Sequence, residues 1–476
     1  MIIPLVPVIV LLGKSYEIAN CEFNTIRMSG ELHRTEEEAL DLLDQLEDIL
    51  ERDPLIDEVG YIHPSLLLAL NEEAGATSLS SGINIPQTAD VSHGLSEANA
   101  AHNKNAAFWN RDHKLGISTH YILPLYNAAK YKFMIALAKY RTSSDSYVKG
   151  KDDGDQDVPN SIIFSETERE VMRHSKALLL LSSDFGTAWN SRKLIGSKKQ
   201  HLPIFGDELC LSTLVLSFAP KTEHAWSHRR WAIKIIACKC ANLLELLEKE
   251  SKLVEKIAEK SKMNYRAWNY RSWLVGYMSR LQVLHELNNS RNWAGLHVSD
   301  SSCFHYRRRL ILRMLDDARE GQDLVARSAQ FESLYEVWKL ELDWNEILIK
   351  KFIGREALWL HRRFLSICWV EHFLAGHFKM STNCDEKNSI ENHLSNFMDH
   401  ELCLLHYCSS IPQDEFEDVQ AQAAHAAAYI LRLFKQISGH SEIRLEEKLK
   451  DDDLRTLLNK VCPEKTKLWD SLLRLR

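Results

Sequence analysis

One pattern limits this chain more than any other: an aromatic residue followed three positions later by arginine, five times over. The copies are Trp189/Arg192, Trp226/Arg229, Trp268/Arg271, Phe304/Arg307 and Trp359/Arg362, at steps of 37, 42, 36 and 55 residues. On an α-helix, residues i and i+3 share a face, so ring and guanidinium project together. Each copy opens an apolar helical stretch, and each is preceded by another. The preceding stretches run over 166–182, 209–218, 241–260, 281–293 (the weakest) and 332–352, and the long last step holds an extended first helix. A helix–turn–helix unit at such a period is the mark of a solenoid. The rings fill wedges between hairpins. The arginines stack on aromatic planes or reach carbonyls and carboxylates of the next unit. These ten residues are read as structural, not catalytic.

The composition agrees. Eighteen Gly and eleven Pro among 476 residues are too few for a sandwich or a Gly-rich nucleotide fold. Neither G-x-x-x-x-G-K nor G-x-G-x-x-G occurs. The net charge of −7 argues against nucleic acid as a partner. Ten Cys form no C-x-x-C pair, which fits a reduced, cytoplasmic setting. Twenty-one His include no H-E-x-x-H, and no metal site is expected in this chain.

Five regions follow from the pattern. Residues 1–27 are an apolar leader without a preceding basic residue and with Pro4 and Pro7 inside it, and Met28 is an alternative start. Residues 28–141 are a helical region, including a helix from Thr35 to Arg52 opened by a Thr35/Glu38 capping box and another from Tyr121 to Tyr140. Within it, residues 75–105 read as a surface loop. Residues 142–160, rich in Asp and Ser, are an acidic linker. Residues 161–375 hold the five repeats. Residues 376–476 form a helical cap, with an Ala-rich helix over Asp414–Gln436 and an amphipathic tail.

The segments Ala188-Trp-Asn-Ser-Arg192, Ala225-Trp-Ser-His-Arg-Arg230 and Asn264-Tyr-Arg-Ala-Trp-Asn-Tyr-Arg271 resemble the protein prenyltransferase alpha subunit repeat, whose core reads N-Y-x-x-W-x-x-R-[RQ]. Two further segments, Asn110–Gly116 and His297–Ser302, resemble a divergent branch of that family. The resemblance implies an all-α fold, a right-handed superhelical solenoid of tetratricopeptide-like hairpins. It also implies a role: the alpha-type subunit of a heterodimeric protein geranylgeranyltransferase of a third type. The implied partner is a beta subunit of the Rab geranylgeranyltransferase kind, which would hold zinc and the isoprenoid pocket. Substrates would be geranylgeranyl diphosphate and proteins with a C-terminal Cys, among them a farnesylated SNARE. The alternative is a non-catalytic helical scaffold or adaptor.

The second and third repeats carry the family's approach to the active site. Lys221 matches the lysine that neutralises the departing diphosphate, and His224 lies beside it. Where the family has Tyr, this chain has Glu223, which when ionised repels diphosphate. Either Glu223 pairs with Lys221 or the position no longer handles diphosphate. Tyr265 keeps a family tyrosine, and Arg266 replaces a histidine in a manner suited to phosphate. Met263 stands where the family has lysine.

Overall fold

The computed structural model describes residues 30–79, 107–149, 164–240, 243–320, 324–374, 384–410 and 417–438, with isolated positions at 456, 459, 463, 466 and 467. They fall into two units.

The first unit is built on three packed helices. α1 (Gly30–Arg52) and α4 (Glu166–Leu181) both pack on α3 (Ile122–Lys149). Leu43, Leu46 and Leu50 follow the helical period, so they share a face of α1, and all three are buried. They belong to one core with Phe133 and Leu137 of α3 and Leu178 of α4. Arg173 reinforces the contact, donating to Glu47 at 2.7 Å and Asp48 at 2.9 Å.

Four expectations change here. α1 begins five residues before Thr35, so Thr35 lies inside the helix and not at its start. α3 runs on to Lys149, through the first eight residues of the segment read as linker; the rest of that segment lies outside the described residues. Likewise α2 (Pro64–Leu79) takes the first residues of the stretch read as a surface loop, and residues 80–106 lie outside the described residues. The helix read as opening the first repeat, α4, belongs to this unit.

A small sheet interrupts a fold otherwise helical: β1 (Glu58–Ile62), β2 (Phe108–Arg111) and β3 (Lys114–Ser118), in the order β1-β3-β2. β2 and β3 pair from Phe108↔Ile117 to Arg111↔Lys114. The two-residue turn between them, Asp112-His113, has φ of 50° and 60°, as the right-handed twist of a hairpin demands. Asp-His is a weaker hairpin signal than Asn-Gly, and strands this short carry little periodicity.

The second unit is a solenoid of helical hairpins. Its first helices are α6 (Leu202–Phe218), α8 (Leu244–Lys260), α10 (Arg280–Leu296), α12 (Leu324–Lys351) and α14 (Cys384–Ser410). Each is followed by a second helix: α7 (Glu223–Lys239), α9 (Tyr265–Leu274), α11 (Ser301–Glu320), α13 (Glu356–Cys368) and α15 (Glu417–Ser438). A further second helix, α5 (Gly186–Lys199), stands at the head. The second helices pack in series, α5 on α7, α7 on α9, α9 on α11, α11 on α13 and α13 on α15. The weak stretch at 281–293 is a full helix opened by a capping box between Ser279 and Gln282. α12 is the extended first helix expected for the long step, at 28 residues. Of the tail beyond Ser438, only the isolated positions are described. No helix among the described residues is long and apolar enough to cross a membrane.

Candidate functional site

The motif residues are buried as read. Trp189, Trp226, Trp268 and Phe304 are at most 1% exposed, and Trp359 is 4% exposed. The indole N–H of Trp189 donates to the Ser183 carbonyl and that of Trp226 to the Pro220 carbonyl, each six residues back. Both indoles thus tie the turn in front of their own helix.

The arginines are buried too, and this requires counter-charges. Each finds one on the next first helix. Arg192 donates to both oxygens of Glu208 at 2.7 and 2.9 Å. Arg229 donates to Glu250 at 2.6 Å, Arg271 to Glu286 at 3.0 Å, Arg307 to Glu341 at 2.6 and 2.8 Å, and Arg362 to Glu401 at 2.7 and 2.8 Å. Every one of these glutamates is also held from its other side by the second helix of its own hairpin. His228 reaches Glu208 at 2.7 Å, Tyr270 donates to Glu250 at 2.6 Å and Tyr306 to Glu286, and His361 reaches Glu341 at 2.9 Å. In these four hairpins the glutamate lies 20 residues before its His or Tyr.

Tyr429 does the same for Glu401 at 2.8 Å, so α14 and α15, read as a cap, form a further hairpin of the same array. There Ile430, fully buried, stands where the others have arginine. At the head, Ser191 takes the His/Tyr position and bonds its own helix at Thr187.

Burial alone would raise the Glu208 and Glu401 carboxyls. Arg192 and His228 outweigh it at Glu208, and Arg362 with its neighbours at Glu401, holding each at about 2. Burial pushes His228 and His361 below the ordinary histidine value despite their glutamate partners. The geometry agrees: each ring uses Nε2 toward glutamate and leaves Nδ1 buried without a partner, where an added proton would be stranded. The sign of the pH dependence follows. Below about 6.5 the unfolded chain binds protons at these histidines that the folded chain refuses, so stability falls with pH. The depressed glutamates continue the loss below about 4.3. His400, raised by its bond to Glu401, acts in the opposite sense. Tyr fills the same position at 270, 306 and 429. A His228→Tyr/His361→Tyr variant should therefore lose less stability than wild type between pH 7.5 and 5.5, read as denaturation midpoints. Equal losses would mean that these histidines do not titrate with unfolding.

The candidate site proper is the edge where α7 and α9 begin. Thr222 donates to Asp184, and Asn264 donates to the Pro220 carbonyl at 2.9 Å while capping Ala267 at 3.2 Å. Pro220 and Thr222, on either side of Lys221, are thus pinned. Lys221 itself is exposed, with no hydrogen-bond or ion-pair partner among the described residues. Glu223 does not pair with it. It takes Arg266 at 3.1 Å from the next hairpin and Arg230 at 3.3 Å, which removes the first of the two alternatives, a Glu223–Lys221 pair, and leaves Arg266 already neutralised. Tyr265 and Met263 are both exposed, with Met263 held at φ 53°. His224 is exposed with its ring against Gly186, where an added Cβ would come within 3.3 Å. The structure thus joins Glu223, Arg230 and Arg266 in one cluster. Among the described residues there is no group of three metal-binding side chains.

Trp-headed second helices locked through shared buried glutamates define the second unit as an array of helical hairpins built on one repeated plan. Two of these hairpins match a known repeat: the family described as "Protein prenyltransferase alpha subunit repeat" matches residues 205–236 and 247–278, the hairpins α6–α7 and α8–α9. The chain is similar to human "Protein prenyltransferase alpha subunit repeat-containing protein 1", 27% identical over 263 residues, 46% of this chain and 64% of that protein. The Xenopus laevis protein 1-A is 31% identical over 41% of this chain and 54% of its own length. The "Geranylgeranyl transferase type-2 subunit alpha" of Saccharomyces cerevisiae is 26% identical over 32% of this chain and 48% of its own. The matches thus span about half to two thirds of the relatives' lengths. A chain of the solved Candida albicans protein geranylgeranyltransferase-I complexed with GGPP superposes over 68% of this chain and 95% of its own, at 15% identity and a TM-score of 0.32.

Proposed function

We propose that this chain is the alpha-type subunit of a heterodimeric protein geranylgeranyltransferase, inactive alone, which pairs in the cytoplasm with a beta subunit of the Rab geranylgeranyltransferase type. The partner brings zinc and the isoprenoid pocket. The substrates are geranylgeranyl diphosphate and proteins ending in Cys, a farnesylated SNARE among them. The observation that carries the reading is the pinned turn presenting an unpaired Lys221 beside the amino end of α7. When the substrate thiolate attacks the isoprenoid C1, the C–O bond breaks and negative charge collects on the departing diphosphate. An ammonium carried on that pinned turn and the positive end of a helix stabilise that charge. Tyr265 is free to donate from the neighbouring helix. His224 and Arg266 flank the same edge, with Arg266 holding Glu223 away from Lys221.

Co-expression with a Rab-type beta subunit should give one heterodimer peak in size exclusion, and two separate peaks would sink the proposal. In that heterodimer, Lys221→Ala should reduce turnover about 10- to 100-fold, the loss of one charge-assisted hydrogen bond of roughly 1.5–3 kcal/mol. The second reading, a scaffold that selects substrates by shape alone, draws on Met263 and on the Glu223–Arg266 pair, which spends on a carboxylate the charge a diphosphate would use. Unchanged turnover in Lys221→Ala would favour it.

A further inference from the structure

One position beyond each clamping arginine, the second helices carry Lys193, Arg230, Ser272, Arg308 and Arg363. Arg230 has Glu223. Arg308 and Arg363 have no hydrogen-bond or ion-pair partner among the described residues, and neither does Arg432 on α15. Arg308 is half-buried, its Nε enclosed without a partner and its guanidinium 5.8 Å from the centre of the Phe364 ring. α11 packs on α13 and α13 on α15, so the three arginines form a row across neighbouring helices.

The charged side chains that act on Arg308 and Arg363 are themselves arginines. Burial and then the charge of Arg363 depress Arg308, and burial and then Arg432 depress Arg363. Burial and Arg308 also keep His305 below its ordinary value. The remaining group that Arg308 feels is the Cys368 thiol, pushed up to about 12 by burial and therefore neutral. Gathering partly desolvated like charges costs the free chain stability.

We propose that the row Arg308–Arg363–Arg432 docks an acidic face of the beta-type partner, its carboxylates supplying the missing counter-charges. This rests on the heterodimer reading and says which surface makes the contact. The spacing favours a protein surface. Packed helix axes lie about 8–10 Å apart, so three helices spread the row over roughly 16–20 Å. A single diphosphate is too short to serve it, whereas a row of carboxylates on a partner fits.

The test is the affinity of full-length chain for a Rab-type beta subunit, measured across a salt series. The variant Arg308→Gln/Arg363→Gln/Arg432→Gln should weaken association about 100-fold at physiological salt and flatten the salt dependence. Its thermal midpoint should equal or exceed wild type, because like-charge repulsion is relieved, whereas a merely structural row would lose stability. Lys249→Gln, on an exposed pair of α8, should leave affinity unchanged. Affinity of the triple variant within threefold of wild type would overturn the proposal alone. Inorganic diphosphate bound by the isolated wild-type chain and lost in the variant would overturn it in favour of a small-anion site. A wild-type chain that fails to bind the beta subunit would remove the heterodimer reading and the docking row together.

Discussion

Glu341→Ala should lower the stability of the solenoid unit by about 3–5 kcal/mol, the cost of breaking a buried ion pair from one side. Arg307, 1% exposed, would keep its bonds to the Leu287 carbonyl and Ser290 but face no negative charge, and His361 would lose its acceptor. The severity should come from the orphaned guanidinium rather than from the missing attraction. An Arg307→Met/Glu341→Leu pair tests this, because it removes both charges and fills the space with apolar side chains. It should recover most of the loss, as buried pairs exchanged for well-packed hydrophobes often do. Denaturant midpoints of wild type, both single variants and the pair would decide it. A double variant as unstable as Glu341→Ala would show that the glutamate matters for shape rather than charge.

Trp226→Ala should cost a similar amount, roughly 3–5 kcal/mol, by opening a cavity among second helices that are packed in series. It should also act at a distance in sequence. The Trp226 indole holds the Pro220 carbonyl, which the Asn264 amide shares, and the Tyr270 ring lies 5.0 Å away. The loss therefore loosens the turn bearing Lys221. In the heterodimer, Trp226→Phe should retain most of the stability yet lower turnover, because it keeps an apolar ring but gives up the N–H. Full turnover in Trp226→Phe would mean that the turn does not need its indole tie.

The array was largely legible in the sequence, because rings and arginines three apart on a helix are rare by chance at a repeat period. The glutamates were not. A lone Glu on an amphipathic helix looks like part of a solvated face, and Glu208, Glu250, Glu286 and Glu341 each look so in isolation. Their constant distance of 20 residues from the following His or Tyr was a usable signal, but it has meaning only once the arginine is known to be buried. The hairpin α14–α15 escaped for the same reason: Tyr429 remains, while its Trp and Arg positions hold Ala427 and Ile430. At the candidate site the sequence placed Lys221 in a turn between helices. It did not reveal that Glu223 would choose Arg266, 43 residues on, because that choice depends on how two hairpins stack.

Among the described residues of the solenoid unit, five buried arginines meet five buried glutamates, and the sum closes because neutral residues stand at both margins, Ser191 with no carboxylate to receive and Ile430 with no cation to send onward. Duplicating one whole hairpin would preserve this parity, since it adds one charge of each sign. Deleting or inserting a single helix would not, and would leave an unmatched ion in the interior. Gain and loss of length in such a protein are therefore quantised in hairpins, while the helices within a hairpin can lengthen, as the 34-residue reach from Arg307 to Glu341 through the 28-residue α12 illustrates.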